Sequence, residues 1–175
     1  MSSIETERLI LREWRLEDLA PFTVINQDPE VMECLLKPLT ESETAAMIER
    51  IQKHFRQHGF GLFACVVKET SELIGFVGLN IPDFESHFTP CVEIGWRLAS
   101  HAWGKGYATE AARAILKAGF EEYGFQEIVS FTVPANRRSI RVMEKIGMHR
   151  DPKDDFDHPK LPEAHPLRKH VLLSP

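Results

Sequence analysis

The segment Trp103–Ala111, which reads Trp-Gly-Lys-Gly-Tyr-Ala-Thr-Glu-Ala, constrains this chain more than any other stretch. Its glycines punctuate a turn, and an alanine-rich amphipathic run follows at once. Immediately upstream, Val92-Glu93-Ile94-Gly95-Trp96-Arg97-Leu98 reads as a strand. Strand, glycine turn and helix start in that order make a device for holding phosphate. Glycine lets the backbone approach the ligand closely, and the N–H groups of the first helical turn, which have no partner inside the helix, point at it. The helix dipole favours an anion there by roughly 0.3–1 kcal/mol, and by about 2 in a partly buried site.

The rest of the chain supplies a frame for that turn. Arg8 to Trp14 reads as a first strand, Leu16 to Gln27 as a short helix, and Asp28-Pro29 restarts the chain helically through Glu33 and Cys34. Thr40-Glu41-Ser42-Glu43 matches a capping box, with a hydroxyl at the cap and a carboxylate three residues on. Behind it Thr44, Met47, Ile48, Ile51 and Phe55 fall at helical spacing, and His58-Gly59 ends the helix. Phe60 to Val67 and Leu73 to Ile81 form a hairpin around a polar turn, and Pro82 to Pro90 is a loop. After the glycine turn a helix runs to about Tyr123, burying Ala108, Ala111, Ala112, Ile115, Gly119 and Phe120, until Gly124 stops it. Ile128 to Val133 is a strand, Asn136 opens a helix that ends at Gly147, Asp151 to Pro166 is a long loop, and Arg168 to Leu173 closes the chain as a strand. Such an order predicts one α/β domain, residues 1–175, with a mixed sheet.

Composition narrows the partners. Lys plus Arg is 21 against 26 Asp plus Glu, a formal charge of −5, which argues against a nucleic-acid binder. The three cysteines, Cys34, Cys65 and Cys91, are far apart and form no CxxC pair, so a reducing compartment is expected. The opening Met-Ser-Ser-Ile-Glu-Thr-Glu-Arg lacks the apolar core of a signal peptide, and the run Leu62 to Val67 is far too short to span a membrane. A cytoplasmic protein with no membrane partner, monomeric or homodimeric, is expected.

Two common phosphate devices fail on this segment. A Walker loop, GxxxxGK[ST], fails because Gly106 follows Gly104-Lys105 and Ala99 stands where the first glycine belongs. A dinucleotide fingerprint, GxGxxG, finds Thr109 in its third glycine position and sits too late in the chain. A third device matches. The segment resembles motif A of the GCN5-related N-acetyltransferases (GNAT), (Q/R)-x-x-G-x-(G/A), with Trp103, Gly106 and Ala108 at its first, fourth and sixth positions. Trp103 departs from Gln or Arg. The run Glu93 to Leu98, the Tyr107-Ala-Thr-Glu-Ala111 continuation, Asn136-Arg137-Arg138-Ser139 with Glu144 to Met148, and the opening Glu7 to Arg12 all resemble one branch, the ribosomal-protein N-acetyltransferases and their relatives. The resemblance implies a GNAT fold: a mixed, mostly antiparallel sheet of about seven strands, splayed at its middle and flanked by about four helices.

It also implies roles. Acetyl-CoA is the expected acyl donor. The backbone of Trp96, Arg97 and Leu98 would pair with the pantetheine arm. Trp103, Gly104, Lys105, Gly106, Tyr107, Ala108 and Thr109 would cradle the pyrophosphate, with Lys105 adding charge. Asn136 would cap its helix or bond the pantetheine arm, and Arg137, Arg138 and Arg141, Arg141 foremost, would meet the nucleotide's 3′-phosphate. Transfer needs a neutral amine, and neutralising a lysine amine near pH 7 costs roughly 4 kcal/mol against about 1 for an α-amine. Glu93 is the candidate base, directly or through water, and such a group contributes about 10²–10⁴-fold. Many relatives carry a tyrosine acid where this chain has Met143, so Ser139, one turn back, is the candidate donor to the departing sulfur. Asp154, Asp155, Asp157, His158 and His165 lack an established ligand spacing, and no metal is expected. The loop Asp151–Pro166 is expected to wall the acceptor pocket, with Trp14 and Asp28–Leu36 opposite. The expected activity is direct acetyl transfer to a protein α-amine or a small amine. A polyamine or amine-drug acetyltransferase and a non-catalytic acyl-CoA sensor are the alternatives, the latter kept open by Met143.

Overall fold

The structure is a computed structural model and describes residues 3–175. The strands β1 (Ser3–Glu5), β2 (Leu9–Arg12), β3 (Leu62–Val67), β4 (Leu73–Asn80) and β5 (Glu93–Leu98) form an antiparallel sheet in that order. A second sheet has β9 (Lys169–Ser174) between β6 (Ser130–Thr132) and β7 (His149–Arg150), with β8 (Phe156–Asp157) also paired to β9. A single parallel bridge, Glu93 to Val129, joins the two. The Ile94 N–H donates to the Val129 carbonyl at 2.8 Å and the Val129 N–H to the Val92 carbonyl at 2.9 Å; beyond Ser130, whose hydroxyl donates to the Ile94 carbonyl at 2.9 Å, β5 and β6 part. That parting is the splay which the family resemblance implies.

Helices cover both faces. On one lie α1 (Leu19–Gln27), the single turn α2 (Pro29–Met32) and α3 (Glu41–His58), and on the other α4 (Tyr107–Glu121); α5 (Arg137–Lys145) lies beside α4 and β6. The α3 cap forms as its sequence dictates: Thr40 Oγ1 accepts from the Glu43 N–H while the Glu43 carboxylate accepts from the Thr40 N–H, and Gly59 ends the helix at φ 77°. Helix α4 approaches the sheet through small residues, Ala111, Ala112, Ala118 and Gly119, all buried. A methyl group at Gly119 would stand 2.5 Å from Ile128 Cδ1, so a larger residue here would have to displace the end of the Ile128 side chain.

Four expectations need correction. Phe120 is 36% exposed, because it lies one residue round α4 from Gly119, past the face that Ala111, Ala112, Ile115, Leu116, Ala118 and Gly119 bury. The last-but-one long strand is shorter than Ile128–Val133, since ladder pairing begins only at Ser130. Trp14 is a core residue: it packs on Phe22 with ring centroids 4.7 Å apart, and its indole N–H donates to the Leu62 carbonyl at 2.8 Å. The Asp151–Pro166 segment carries β8, and Phe156 closes an aromatic cluster with Phe84, Phe88 and Phe131. No helix among the described residues is long and apolar enough to cross a membrane.

Candidate active site

The glycine turn is tied down from the far end of the chain. Glu110, in the first turn of α4, accepts from the Thr6 hydroxyl at 2.6 Å, from the Arg8 N–H at 2.8 Å and from Arg8 Nε at 2.7 Å. Arg8 Nη1 then donates to the Lys105 carbonyl at 2.9 Å, and its guanidinium stacks over the Tyr107 ring at 4.7 Å. Burial works to raise the Glu110 pKa, but the hydrogen bonds from Thr6 and Arg8 win and hold it below its ordinary value. Gly104 and Gly106 adopt φ of 73° and 82°, a region that L side chains rarely enter. Among the described residues, no protein acceptor takes the N–H groups of Gly104 to Thr109. They are the orphan donors of a helix start, aimed outward.

A cleft of ≈ 290 Å³ opens over this turn, walled by Trp96, Trp103, Tyr107, Arg138 and Arg141, with Gly104, Gly106, Ala108 and Thr109 on its floor and Leu98, Asn136 and Ser139 along it. The Trp103 indole N–H donates to the Leu98 carbonyl at 2.9 Å, and Arg138 lies 4.1 Å over its ring while pairing with Glu33 at 3.1 Å. Lys105 and Arg137 do not line the cleft, and Lys105 meets the site through its carbonyl. Strand alternation does the rest. Since Ile94 turns its N–H and C=O toward β6, so does Trp96, and there β6 has already diverged. The unpaired edge at Trp96 and the free N–H groups at the helix start suit a ligand with amides at one end and phosphates at the other.

A second cavity, ≈ 260 Å³, shares Cys34, Leu35, Trp96, Arg97, Asn136 and Ser139 with the first and continues to Glu93, Asn80, Phe131 and His170. The β4–β5 register runs unbroken from Gly75–Leu98 to Asn80–Glu93, so Glu93 keeps its place on the face shared with Gly95 and Arg97. Burial pushes the Glu93 carboxyl up to about 8 against a hydrogen bond from Asn80. It makes no ion pair with Arg97; the Arg97 Nη1 donates instead to Asn26 Oδ1 at 2.7 Å. Ser139 stands where the cavities meet, its N–H capped by Asn136 Oδ1 at 3.2 Å. Asn136 also donates to Thr132 Oγ1 at 3.1 Å, so its side chain is engaged within the protein. Met143 is buried and also lines the second cavity.

No residue of Asp151–Pro166 lines that cavity, and neither does Trp14, whereas Cys34 and Leu35 of the Asp28–Leu36 region do. Two of the loop's acidic residues are held by arginines, Asp155 by Arg150 and Asp157 by Arg168 at 3.3 Å. Sequence reasoning missed Arg8, Glu110, Asn80 and Asn26. Only the Glu in Ala-Thr-Glu-Ala carried a signal, an acidic residue on a helix start that offers its dipole to an anion.

Comparison with known proteins agrees with this geometry. A family model described as the acetyltransferase (GNAT) domain matches residues 8–149. The chain is 35% identical over 149 residues to the uncharacterized protein YkkB of Bacillus subtilis, covering 85% of this chain and 86% of that one. It is 33% identical over 153 residues to the uncharacterized N-acetyltransferase p20 of Bacillus licheniformis, covering 86% and 84%. The crystal structure of a GNAT-family acetyltransferase from Bacillus anthracis superposes with a TM-score of 0.81 at 28% identity, over 99% of this chain and 97% of that one. Sequence, fold and the splayed cleft converge, and the chain belongs to the GNAT family of N-acetyltransferases.

Proposed function

We propose that this chain, as one catalytic domain, transfers acetyl directly from acetyl-CoA to an α-amine. Acetyl-CoA supplies the acetyl group already activated as a thioester. The N–H groups of Gly104 to Thr109 would hold its pyrophosphate, Arg138 and Arg141 its nucleotide phosphate, and the open edge at Trp96 its amides. Glu93 removes a proton from the acceptor ammonium, freeing the nitrogen lone pair for the acetyl carbon. As the C–N bond forms the C–S bond breaks; coenzyme A leaves as a thiolate whose sulfur accepts a hydrogen bond from Ser139, and the second proton of the acylated nitrogen passes to that thiolate.

The observation that carries this reading is Glu93, a carboxyl pushed up to about 8 in a cavity that opens into the cleft. A base works best when its pKa lies near that of the proton it takes and near the working pH. An α-amine titrates near 8 and a lysine amine near 10.4, so the match favours the α-amine.

Thiol release from acetyl-CoA across α-amines, lysine-type amines and polyamines tests the proposal, with intact-mass detection of the acetylated product. Release with α-amines is expected, with kcat/KM rising with pH up to about 8, and Glu93→Gln lowering it by about 10²–10⁴-fold. Tight acetyl-CoA binding without acceptor-dependent release across the panel would overturn it in favour of an acyl-CoA sensor. Preference for spermidine-like amines would replace the α-amine with a polyamine.

A further inference from the structure

The second cavity has a charged end that acetyl transfer alone does not use. Glu93, Gly95 and Arg97 share one face of β5. Gly95 leaves the strand bare between the other two: a methyl group placed on it would meet only Glu93 Oε1, at 3.7 Å. Glu93 and Arg97 therefore flank an open stretch of strand, and both residues line the same ≈ 260 Å³ cavity.

Among the described residues, no carboxylate pairs with Arg97. Nη1 donates to Asn26 Oδ1 at 2.7 Å and touches Met47 Sδ at 3.8 Å, and the guanidinium lies 5.5 Å over the Phe76 ring. Nε is out of solvent and unpartnered. Asn26 is neutral, and its amide donates onward to Thr44 Oγ1 at 3.2 Å, so the network ends without a carboxylate. Glu93 does not fill the role, since burial keeps it largely protonated at neutral pH. Burial also lowers the Arg97 pKa, to about 10, which leaves the side chain charged. A half-buried guanidinium with its Nε out of solvent and no counter-ion is costly unless a ligand supplies one.

We infer that the acceptor carries a carboxylate beside its amine, and that Arg97 binds that carboxylate while the amine faces Glu93. This rests on reading the cleft as an acetyl-transfer site. With Nη1 on Asn26 and Nε out of solvent, Nη2 is the guanidinium donor left for a carboxylate, and the uncompensated cation repels polyamines from the same cavity. The carboxylate belongs either to a small aminocarboxylate, such as a short peptide's C-terminus, or to an acidic side chain next to a protein's amino terminus.

Matched acceptors test this. Dipeptides are compared with their C-terminal amides, an ω-amino acid with the alkylamine of equal length, and C-terminally amidated decapeptides bearing Asp or Asn at the second position with each other. The acid member of at least one pair is expected to have a kcat/KM about 100-fold higher, because a site built around a polar group rejects the analogue that lacks it. The pair that responds identifies the source. In Arg97→Gln the preference is expected to collapse to a few-fold, and Arg97→Lys to restore part of it. A role limited to supporting the fold would lower both members alike and leave their ratio unchanged. Equal rates within every pair for the wild-type protein, which needs no variant to fold, would overturn the inference while leaving acetyl transfer intact. Absence of thiol release with every amine would overturn both.

Discussion

Arg8 and Glu110, 102 positions apart, meet in an ion pair of 2.7 Å that ties the start of the first sheet to the first turn of α4. The same arginine holds the Lys105 carbonyl, so the glycine turn is braced from below and its N–H groups are left to face the cleft.

Replacing Glu110 with alanine removes the acceptor for Thr6 and Arg8 together. We expect a stability loss of about 0.5–1.5 kcal/mol, because the Thr6 hydroxyl is partly buried while the Arg8 donors are exposed and can turn to water. We also expect a several-fold rise in the KM for acetyl-CoA as the turn loosens. Denaturant melts and initial rates check both. Because the Glu110 pKa lies below its ordinary value, its contribution to stability is present above 4.5 and is lost as pH falls through the lower folded value. An unchanged melt and an unchanged KM would show that the brace has no consequence.

Glu93 has the opposite pH signature. The folded protein keeps this proton up to about 8, while the unfolded chain releases it near 4.5. Between those values the native state binds more protons, so stability falls as pH rises through the window. Glu93→Gln removes that loss. The variant should match the wild type below pH 4.5 and exceed it above pH 8 by an amount on the order of a few kcal/mol. Parallel stability curves across the range would mean that Glu93 is not desolvated.

Ser139→Ala tests the junction of the two cavities. Loss of one hydrogen bond to the departing sulfur should lower turnover by about 3–10-fold, near 1 kcal/mol, with acetyl-CoA affinity unchanged. Wild-type turnover in this variant would remove Ser139 from the mechanism and leave sulfur departure to other groups.

Where the signal is local, sequence and structure coincide. The Thr40–Glu43 capping box, the left-handed Gly59 and the β3–β4 hairpin each depend on residues close in sequence. β1 and β8 carry no such signal, being strands of three and two residues that exist only through pairing with β2 and β9. The assignment of Trp14 to a pocket wall failed for a related reason: a large aromatic ring with one N–H fits a wall or a core equally well until its neighbours are known. Here Phe22 and the Leu62 carbonyl made it core.

By itself, the sequence determined the order of the longer elements, the glycine turn and the family, because glycine spacing, capping residues and hydrophobic period act within a few residues of themselves. Tertiary structure alone decided how far β5 and β6 stay together, which carboxylate braces the turn, and what surrounds Glu93 and Arg97. Those are matters of burial and long-range pairing. A carboxyl is pushed up to about 8, and a guanidinium is left without an anion, only when distant segments pack around them and take away part of their hydration.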